Sequence, residues 1–108
     1  MDREPKITVI MSVFNGSEFL AESIQSILDQ TFKEFEFIIV DDGSTDNSLD
    51  IIRSFESADS RIKVISKLNE GLAKSLNTAI SISKGEYIAR MDADDISYKN
   101  RLEKQYEF

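Results

Sequence analysis

Residue types that build disulfides and zinc sites are missing from this sequence of 108 residues. It contains no cysteine and no histidine, which excludes disulfides and zinc sites built from thiolate or imidazole ligands. A metal bound here would have oxygen ligands, which favours magnesium, manganese or calcium. Composition alone therefore restricts both the redox chemistry and the choice of metal.

Positive charge and long apolar runs are scarce as well. Acidic residues number 20 and basic residues 13, which gives a net charge of −7 and suits neither nucleic acid nor an anionic membrane. No apolar run reaches the roughly 18 residues of a membrane helix, and no basic leader precedes an apolar stretch. We therefore expect one small domain, without an export signal of its own and located in the cytoplasm.

Apolar patterning predicts strands that alternate with helices. The strands are predicted at residues 7–14, 35–40, 61–65 and 86–91, and the helices at 17–30, after Asp46, from Leu72 and at 98–108. Ser17 is the expected N-cap of the first helix, and Gly85 the glycine just past the third. Strands joined by right-handed helical crossovers lie parallel, so the strand-to-helix loops meet at one edge, where ligands bind.

Three carboxylates, Asp92, Asp94 and Asp95, follow the fourth predicted strand. Two charges about 4 Å apart repel by roughly 4 kcal/mol at an effective dielectric of about 20, so this cluster needs a cation, a proton or water. Asp92 and Asp94 project to the same side if the strand continues, and Ala93 leaves room for a ligand. Our hypothesis is a divalent cation on this pair, with Asp95 capping the next helix. Arg90 pairs with these carboxylates or a phosphate, or forms a structural ion pair.

The other loops at this edge have structural interpretations beside functional ones. Asp41 and Asp42 either line a ligand site or form a turn that caps the next helix, and Asp46 is interpreted as a cap alone. Three more polar residues are typical of turns or of solvated helix positions, namely Asn15, Asn69 and Lys74.

Several of these motifs, taken in order, resemble the amino-terminal half of family-2 glycosyltransferases of the GT-A fold. The residues that carry the resemblance are Ser12-Val13-Phe14-Asn15, Ser26-Ile27-Leu28-Asp29-Gln30, Asp41-Asp42-Gly43-Ser44-Thr45-Asp46, Asn69-Glu70-Gly71, Asn77, Gly85-Glu86-Tyr87-Ile88 and Asp92-Ala93-Asp94-Asp95. The resemblance implies an α/β, Rossmann-like GT-A nucleotide-binding fold, with a mostly parallel four-stranded sheet flanked by helices. Residues 1–108 would be its donor-binding half, and the acceptor half would be absent.

The function that the resemblance implies is metal-dependent transfer of a sugar, with inversion, from a nucleotide-diphosphate sugar to an acceptor hydroxyl. UDP is the favoured nucleotide, and the acceptor would be a glycan, a lipid-linked molecule or a protein. Manganese or magnesium would neutralise the charge on the leaving nucleotide. The general base is expected downstream of residue 108, so we expect the fragment alone to be inactive. A longer protein would lie in the cytoplasm or against the inner face of the membrane, and the open sheet edge favours self-association of the fragment.

Individual roles follow from the resemblance at matching positions. Phe14 would pack on the base, and Asp42, with Asp41 as second choice, would accept a hydrogen bond from the imide of uracil. Asp94 would be the direct metal ligand, while Asp92 would contact the ribose or a metal-bound water. The full nucleotide-binding set is Ser12, Val13, Phe14, Asn15, Asp41, Asp42, Asn69, Gly71, Lys74, Asp92, Ala93 and Asp94, with Asp92 and Asp94 as the metal residues.

Two other protein classes fit the pattern less well. A phospho-accepting receiver domain is also small and acidic, but its acidic pair follows the first strand, where this chain has Ser-Val-Phe-Asn. A dinucleotide-binding oxidoreductase would carry Gly-x-Gly-x-x-Gly after that strand, and this loop has a single glycine. The receiver domain therefore remains the alternative.

Overall fold

The computed structural model describes residues 5–107, except for the side chain of residue 107. In the described range the elements alternate as β1 (Ile7–Val13), α1 (Ser17–Leu28), β2 (Phe35–Asp42), α2 (Ser48–Ala58), β3 (Ile62–Lys67), α3 (Leu72–Ser81), β4 (Tyr87–Asp92) and α4 (Arg101–Glu107). The strands form one parallel sheet in the order β3-β2-β1-β4. The predicted α/β architecture is confirmed.

The two central strands, β1 and β2, are covered on both faces. Val9 and Phe37 lie in a large apolar cluster with residues of α1, α2 and α4, whereas Ile10 and Ile38 pack with Ala79 of α3 in a smaller one. Successive side chains of a strand point to opposite faces. The nearly continuous apolar runs of these strands therefore follow from helices on both sides of the sheet.

The strand order reverses at β1. The chain passes from β1 to β2 and β3 on one side, and β4 then returns to the other side of β1. Ser12 is aligned with both Val40 and Asp92, so the loops after β2 and β4 flank the end of β1. Ligands of open parallel sheets bind at such a reversal. The order also differs from the 2-1-3-4-5 order of flavodoxin-like folds, which speaks against the receiver domain.

Several predicted boundaries were wrong by a few residues. Ser17 is the first helical residue of α1 rather than its N-cap, which is Gly16, and the N–H of Ser17 donates to Oδ2 of Asp46 at 3.3 Å. The helix stops at Leu28 rather than at residue 30. The last helix begins at Arg101 instead of residue 98, and its predicted end at residue 108 lies outside the described residues.

The prediction that Gly85 is the glycine just past the third helix is wrong. Helix α3 is capped by Ile82, and Gly85 lies in the following connection. Its N–H donates a 2.8 Å hydrogen bond to the hydroxyl of Thr8. A Cβ atom at this position would lie 2.5 Å from the backbone nitrogen of Thr8. Glycine is needed here because two backbone segments approach each other closely.

A buried carboxylate ties this connection to the sheet. Glu36 accepts hydrogen bonds from the Thr8 hydroxyl at 2.7 Å and the Lys84 N–H at 2.6 Å, and it pairs with Lys63 at 3.0 Å. Burial alone would raise the pKa of Glu36, but these donors outweigh it and hold the pKa below its ordinary value. The network fixes the connection that leads into β4.

Candidate functional site

The carboxylates of Asp92, Asp94 and Asp95 converge just after β4. The strand ends at Asp92, and the N–H of Asp95 donates a 3.1 Å hydrogen bond to the carbonyl of Asp92. This turn places one oxygen of each carboxylate within 4.8 Å of the others. The strand does not continue to Asp94, and the turn rather than the alternation of a strand brings the side chains together.

The oxygen cluster fits a small divalent cation. Oxygen ligands of Mg²⁺ lie about 3 Å apart when adjacent and about 4.2 Å apart when opposite. The three carboxylate oxygens lie within 4.8 Å of one another on exposed side chains, so rotation of these side chains can bring them to one ion. Asp94 forms no hydrogen bond or ion pair with the residues that the structure describes, and its side chain is exposed. Asp95 does not cap a helix, because its Oδ2 accepts a 3.2 Å hydrogen bond from the N–H of Asp92.

Arg90 pairs with the first of these aspartates. Its Nη2 lies 3.3 Å from Oδ1 of Asp92, and both side chains are more than half exposed. An exposed pair of this kind contributes about 0–1 kcal/mol. Arg90 is therefore an exposed and weakly paired counter-charge beside the cluster.

Asp42 organises the loop after β3. Its Oδ1 accepts the N–H of Glu70 at 2.9 Å, and its Oδ2 accepts the N–H of Gly71 at 3.0 Å and the side-chain amide of Asn69 at 3.2 Å. Lys67 lies 3.4 Å from Oδ1. Burial alone would raise the pKa of Asp42, but these donors hold it below its ordinary value. The carboxylate is therefore charged and holds the loop at the sheet edge.

Asp41 and Asp42 point to opposite faces of the sheet. Asp41 follows the α1 and α2 side, where its Oδ2 accepts the N–H of Ser44 at 3.3 Å. Its buried Oδ1 has no hydrogen-bond partner among residues 5–107. Asp42 shares the α3 side with Ser12 and Asp92, as the strand register requires. Only Asp42 thus faces the side on which Asp92 lies.

The loop after β1 borders an open depression. Its volume is about 310 Å³ and its lining includes Phe14, Asn15, Phe19, Ala93 and Asp94. The Phe14 side chain is 54% exposed, so its ring is accessible beside the carboxylate cluster. Phe19, which is 48% exposed, was missed by sequence reasoning because its position fitted an ordinary helix.

Asn15 joins the loops after β1 and β2. Its Oδ1 accepts the N–H groups of Thr45 at 2.8 Å and Asp46 at 3.3 Å. Asp46 in turn accepts the N–H of Ser48 at 2.9 Å, so it caps the start of α2 as predicted, although Asn47 precedes the helix. The turn interpretation of Asn15 is thus confirmed by its geometry, and a ligand contact stays a prediction.

Two lysines near this edge have different surroundings. Lys74 is 70% exposed and lies 3.9 Å from Glu70, which agrees with a solvated helix position. Lys67 is only 14% exposed and bridges Asp42 and Glu70, with 2.7 Å to Glu70. Sequence reasoning missed Lys67, since it lies two residues beyond the predicted end of the third strand.

A model of glycosyl transferase family 2 matches residues 8–108. The chain belongs to this family. The putative glycosyltransferase EpsE from Bacillus subtilis is 49% identical over an alignment of 110 positions that covers 100% of this chain and 40% of EpsE. The chain therefore spans less than half the length of this relative.

Solved structures of longer glycosyltransferase-family proteins share the fold. Staphylococcus aureus TarS residues 1–349, in complex with UDP-GlcNAc, is 31% identical with a TM-score of 0.88 over 94% of this chain and 30% of TarS. The mannosyltransferase PcManGT from Pyrobaculum calidifontis, in complex with GDP-Man and Mn²⁺, is 25% identical with a TM-score of 0.84 over 93% of this chain and 31% of PcManGT. The GT-A fold expected from the sequence is confirmed. No helix among the described residues is long and apolar enough to cross a membrane.

Proposed function

We propose that the carboxyl edge of this sheet binds the nucleoside diphosphate sugar donor of a glycosyl transfer reaction, together with Mg²⁺ or Mn²⁺. The observation that carries the proposal is the cluster of Asp92, Asp94 and Asp95 oxygens within 4.8 Å, next to the exposed ring of Phe14. Two relatives in the same family are solved with UDP-GlcNAc or with GDP-Man and Mn²⁺. The reaction would join the sugar to an acceptor hydroxyl, with inversion, and release the nucleoside diphosphate.

Asp94 would hold the cation directly, and Asp92 would contact the ribose or a metal-bound water. Asp94 suits direct metal binding because its carboxylate forms no hydrogen bond or ion pair with a described residue. Asp92 already interacts with Arg90 at 3.3 Å. When bound, the cation supplies positive charge for the leaving diphosphate. A bound cation would also offset the repulsion between a phosphate ligand and this acidic edge, in a chain whose net charge is −7.

Asp42 would accept the donor group of the base. It lies on the α3 side with Ser12 and Asp92, and its contact with Asn69 at 3.2 Å is its longest neutral hydrogen bond. A base can replace that amide at Oδ2 while the N–H groups of Glu70 and Gly71 stay bound. One exchanged contact matches the single imide donor of uracil, whereas guanine presents two adjacent donors. We therefore favour UDP over GDP.

Other residues of the site would border the ribose, the phosphates and the base. Phe14 offers a ring for stacking, and Asn15 and Val13 place it at the end of β1. The loop of Asn69 and Gly71, with Lys74 behind it, would lie beside the ribose and phosphates. No residue is assigned as the general base.

Calorimetric titration of UDP with and without Mn²⁺ tests this function. We expect Mn²⁺ to strengthen UDP binding, and Asp94→Asn to weaken the Mn²⁺-dependent part about tenfold or more. The control is Asp29→Asn, which removes the same charge from the exposed end of α1. UDP binding that responds neither to Mn²⁺ nor to Asp94→Asn would contradict the metal role.

A competition between UDP and GDP tests the base. With Mn²⁺ present, UDP should bind more tightly, and Asp42→Asn should reduce this preference because an amide in place of the carboxylate weakens acceptance of the imide N–H. Equal affinities for UDP and GDP in the unaltered chain would overturn the assignment to uracil.

A further inference from the structure

Four polar residues in α1 and just after it bind the backbone of the segment that follows β4. Residues 93–100 contain neither helix nor strand. The four residues are Ser23, Ser26, Gln30 and Thr31, which we call the α1 ladder. Ser26 and Gln30 belong to one of the motifs that carry the family resemblance, and the proposed function assigns a role to none of the four residues.

The ladder consists of short hydrogen bonds spaced along the segment. Ser23 donates to the carbonyl of Ala93 at 2.7 Å, and Ser26 accepts the N–H of Ser97 at 3.0 Å. Further along, Gln30 donates to the carbonyl of Tyr98 at 2.6 Å. The N–H of Thr31 donates to the carbonyl of Lys99 at 2.7 Å, and the N–H of Leu102 donates to Oε1 of Gln30 at 3.0 Å.

Burial makes the loss of these hydrogen bonds costly. Ser23 and Gln30 are fully buried, at 0% exposure. Buried polar groups without partners are costly, so each of these side chains favours only the conformation in which the segment lies against it. These bonds reach backbone atoms of the segment and do not occupy the side chains of Asp94 and Asp95, which are exposed.

The hydrogen bond from Ser23 reaches into the carboxylate cluster itself. Ala93 separates Asp92 from Asp94, and the Ser23 hydroxyl fixes its carbonyl. The orientation of that peptide determines how the Asp94 side chain leaves the turn. Ser26, which accepts the N–H of Ser97, donates its own hydroxyl to the backbone carbonyl of Ser23 at 2.7 Å, so its contact with the segment is anchored on the same turn of α1 as that of Ser23.

We propose that Ser23 is a positioning residue for the metal-binding carboxylates, with Ser26 as its support. The inference rests on the proposed function in one respect, namely that a cation binds at Asp92 and Asp94. Ser23 holds the turn in the geometry that cation binding needs and touches neither metal nor nucleotide. Preorganisation of this kind strengthens binding because less ordering remains to be done when the ligand arrives.

Hydrogen exchange without ligand tests the positioning itself. In Ser23→Ala, the amides of residues 94–97 should exchange about 3- to 10-fold faster, as expected for loss of one net hydrogen bond, while the amides of β1 and β2 stay unchanged. Ser26→Ala should give a smaller change in the same amides. The control is Ser54→Ala, whose hydroxyl donates to Ile51 within α2 at 2.7 Å and should leave residues 94–97 unaffected.

Binding measurements test the link to the metal. Ser23→Ala should weaken Mn²⁺ binding about 3- to 10-fold, at a temperature where every variant is folded, and leave metal-free UDP binding unchanged. A general structural defect would weaken both. Unchanged exchange at residues 94–97, or equal losses of UDP affinity with and without Mn²⁺, would overturn the proposal. If the unaltered chain binds no Mn²⁺, the proposed metal role fails, and exchange alone then decides whether Ser23 positions the turn.

Discussion

The side-chain Oδ1 of Asn15 accepts a 2.8 Å hydrogen bond from the backbone N–H of Thr45, so the loops after β1 and β2 are joined directly. Asn15 has a φ of 52°, in the left-handed region that asparagine and aspartate tolerate better than other side chains. Two separate properties of asparagine are therefore used at this position.

Substitutions of Asn15 should separate these two properties. Asn15→Asp keeps the acceptor and the tolerance, so it should change the free energy of unfolding by less than about 0.5 kcal/mol. Asn15→Gly loses only the acceptor and should cost about 1 kcal/mol, whereas Asn15→Ala also adds backbone strain and should cost about 2 kcal/mol. Urea unfolding measures the series. If Asn15→Ala and Asn15→Gly lower the free energy of unfolding equally, a Cβ atom adds no measurable strain at φ 52°.

Gly85→Ala should be among the most damaging single-methyl changes in the chain. The added Cβ would lie 2.5 Å from the nitrogen of Thr8 and 2.6 Å from the carbonyl carbon of Ile7, which are backbone atoms that cannot move independently. We expect a loss of about 2–3 kcal/mol in unfolding free energy.

The matched control for this change is Gly16→Ala. There the new Cβ would meet only the side chains of Ala93 at 3.3 Å and Val13 at 3.7 Å. It should cost about 1 kcal/mol or less in urea unfolding. Equal losses for the two variants would show that the close approach at Thr8 relaxes easily.

Asp46 makes stability depend on pH in the acid range. Hydrogen bonds from Ser48 and Ser17 lower the pKa of Asp46 to about 2 from an ordinary 3.8. Because the folded pKa lies below the unfolded one, this stabilisation is complete above about pH 4 and is lost as the pH falls towards 2. In urea unfolding, the difference between the unaltered chain and Asp46→Asn should shrink across that window. A difference that is constant with pH would contradict the assignment.

The outer edge of β4 should promote self-association. The N–H of Tyr87 points to β1, where it donates to Lys6 at 3.1 Å, so the alternate residue Ile88 directs its backbone outward. Ile88 is 45% exposed. In an antiparallel pair of two copies centred on Ile88, Glu86 of each copy would face Arg90 of the other, and opposite charges across strands are favourable.

Sedimentation velocity at several concentrations checks this expectation. The unaltered chain should form dimers as the concentration rises, and Ile88→Lys should shift it to monomer by introducing like charges at the centre of the pair. Ile82→Lys, at an exposed position outside the strands, is the control and should not change the association. A concentration-independent monomer would contradict the predicted pairing.

The sequence alone determined the order of elements and the parallel sheet. Apolar residues recur with the period of a strand or a helix because burial on a sheet or helix face is decided locally, one repeat after another. Strand ends were harder to predict, since β2 continues through Asp41 and Asp42 and buries both despite their charge. For Asp42, hydrogen bonds from the Asn69–Gly71 loop compensate for the burial, and no local sequence pattern predicts them.

The tertiary structure alone decided how the polar residues are used. Ser23 meets Ala93 across 70 positions of sequence, Gly85 meets Thr8 across 77, and Glu36 meets Lys84 across 48. A hydrogen bond between a side chain and a distant backbone atom leaves no periodic signal, because it needs only one suitable residue at one place. The sequence therefore fixed which carboxylates stand together after β4, whereas the fold decided what holds them in position.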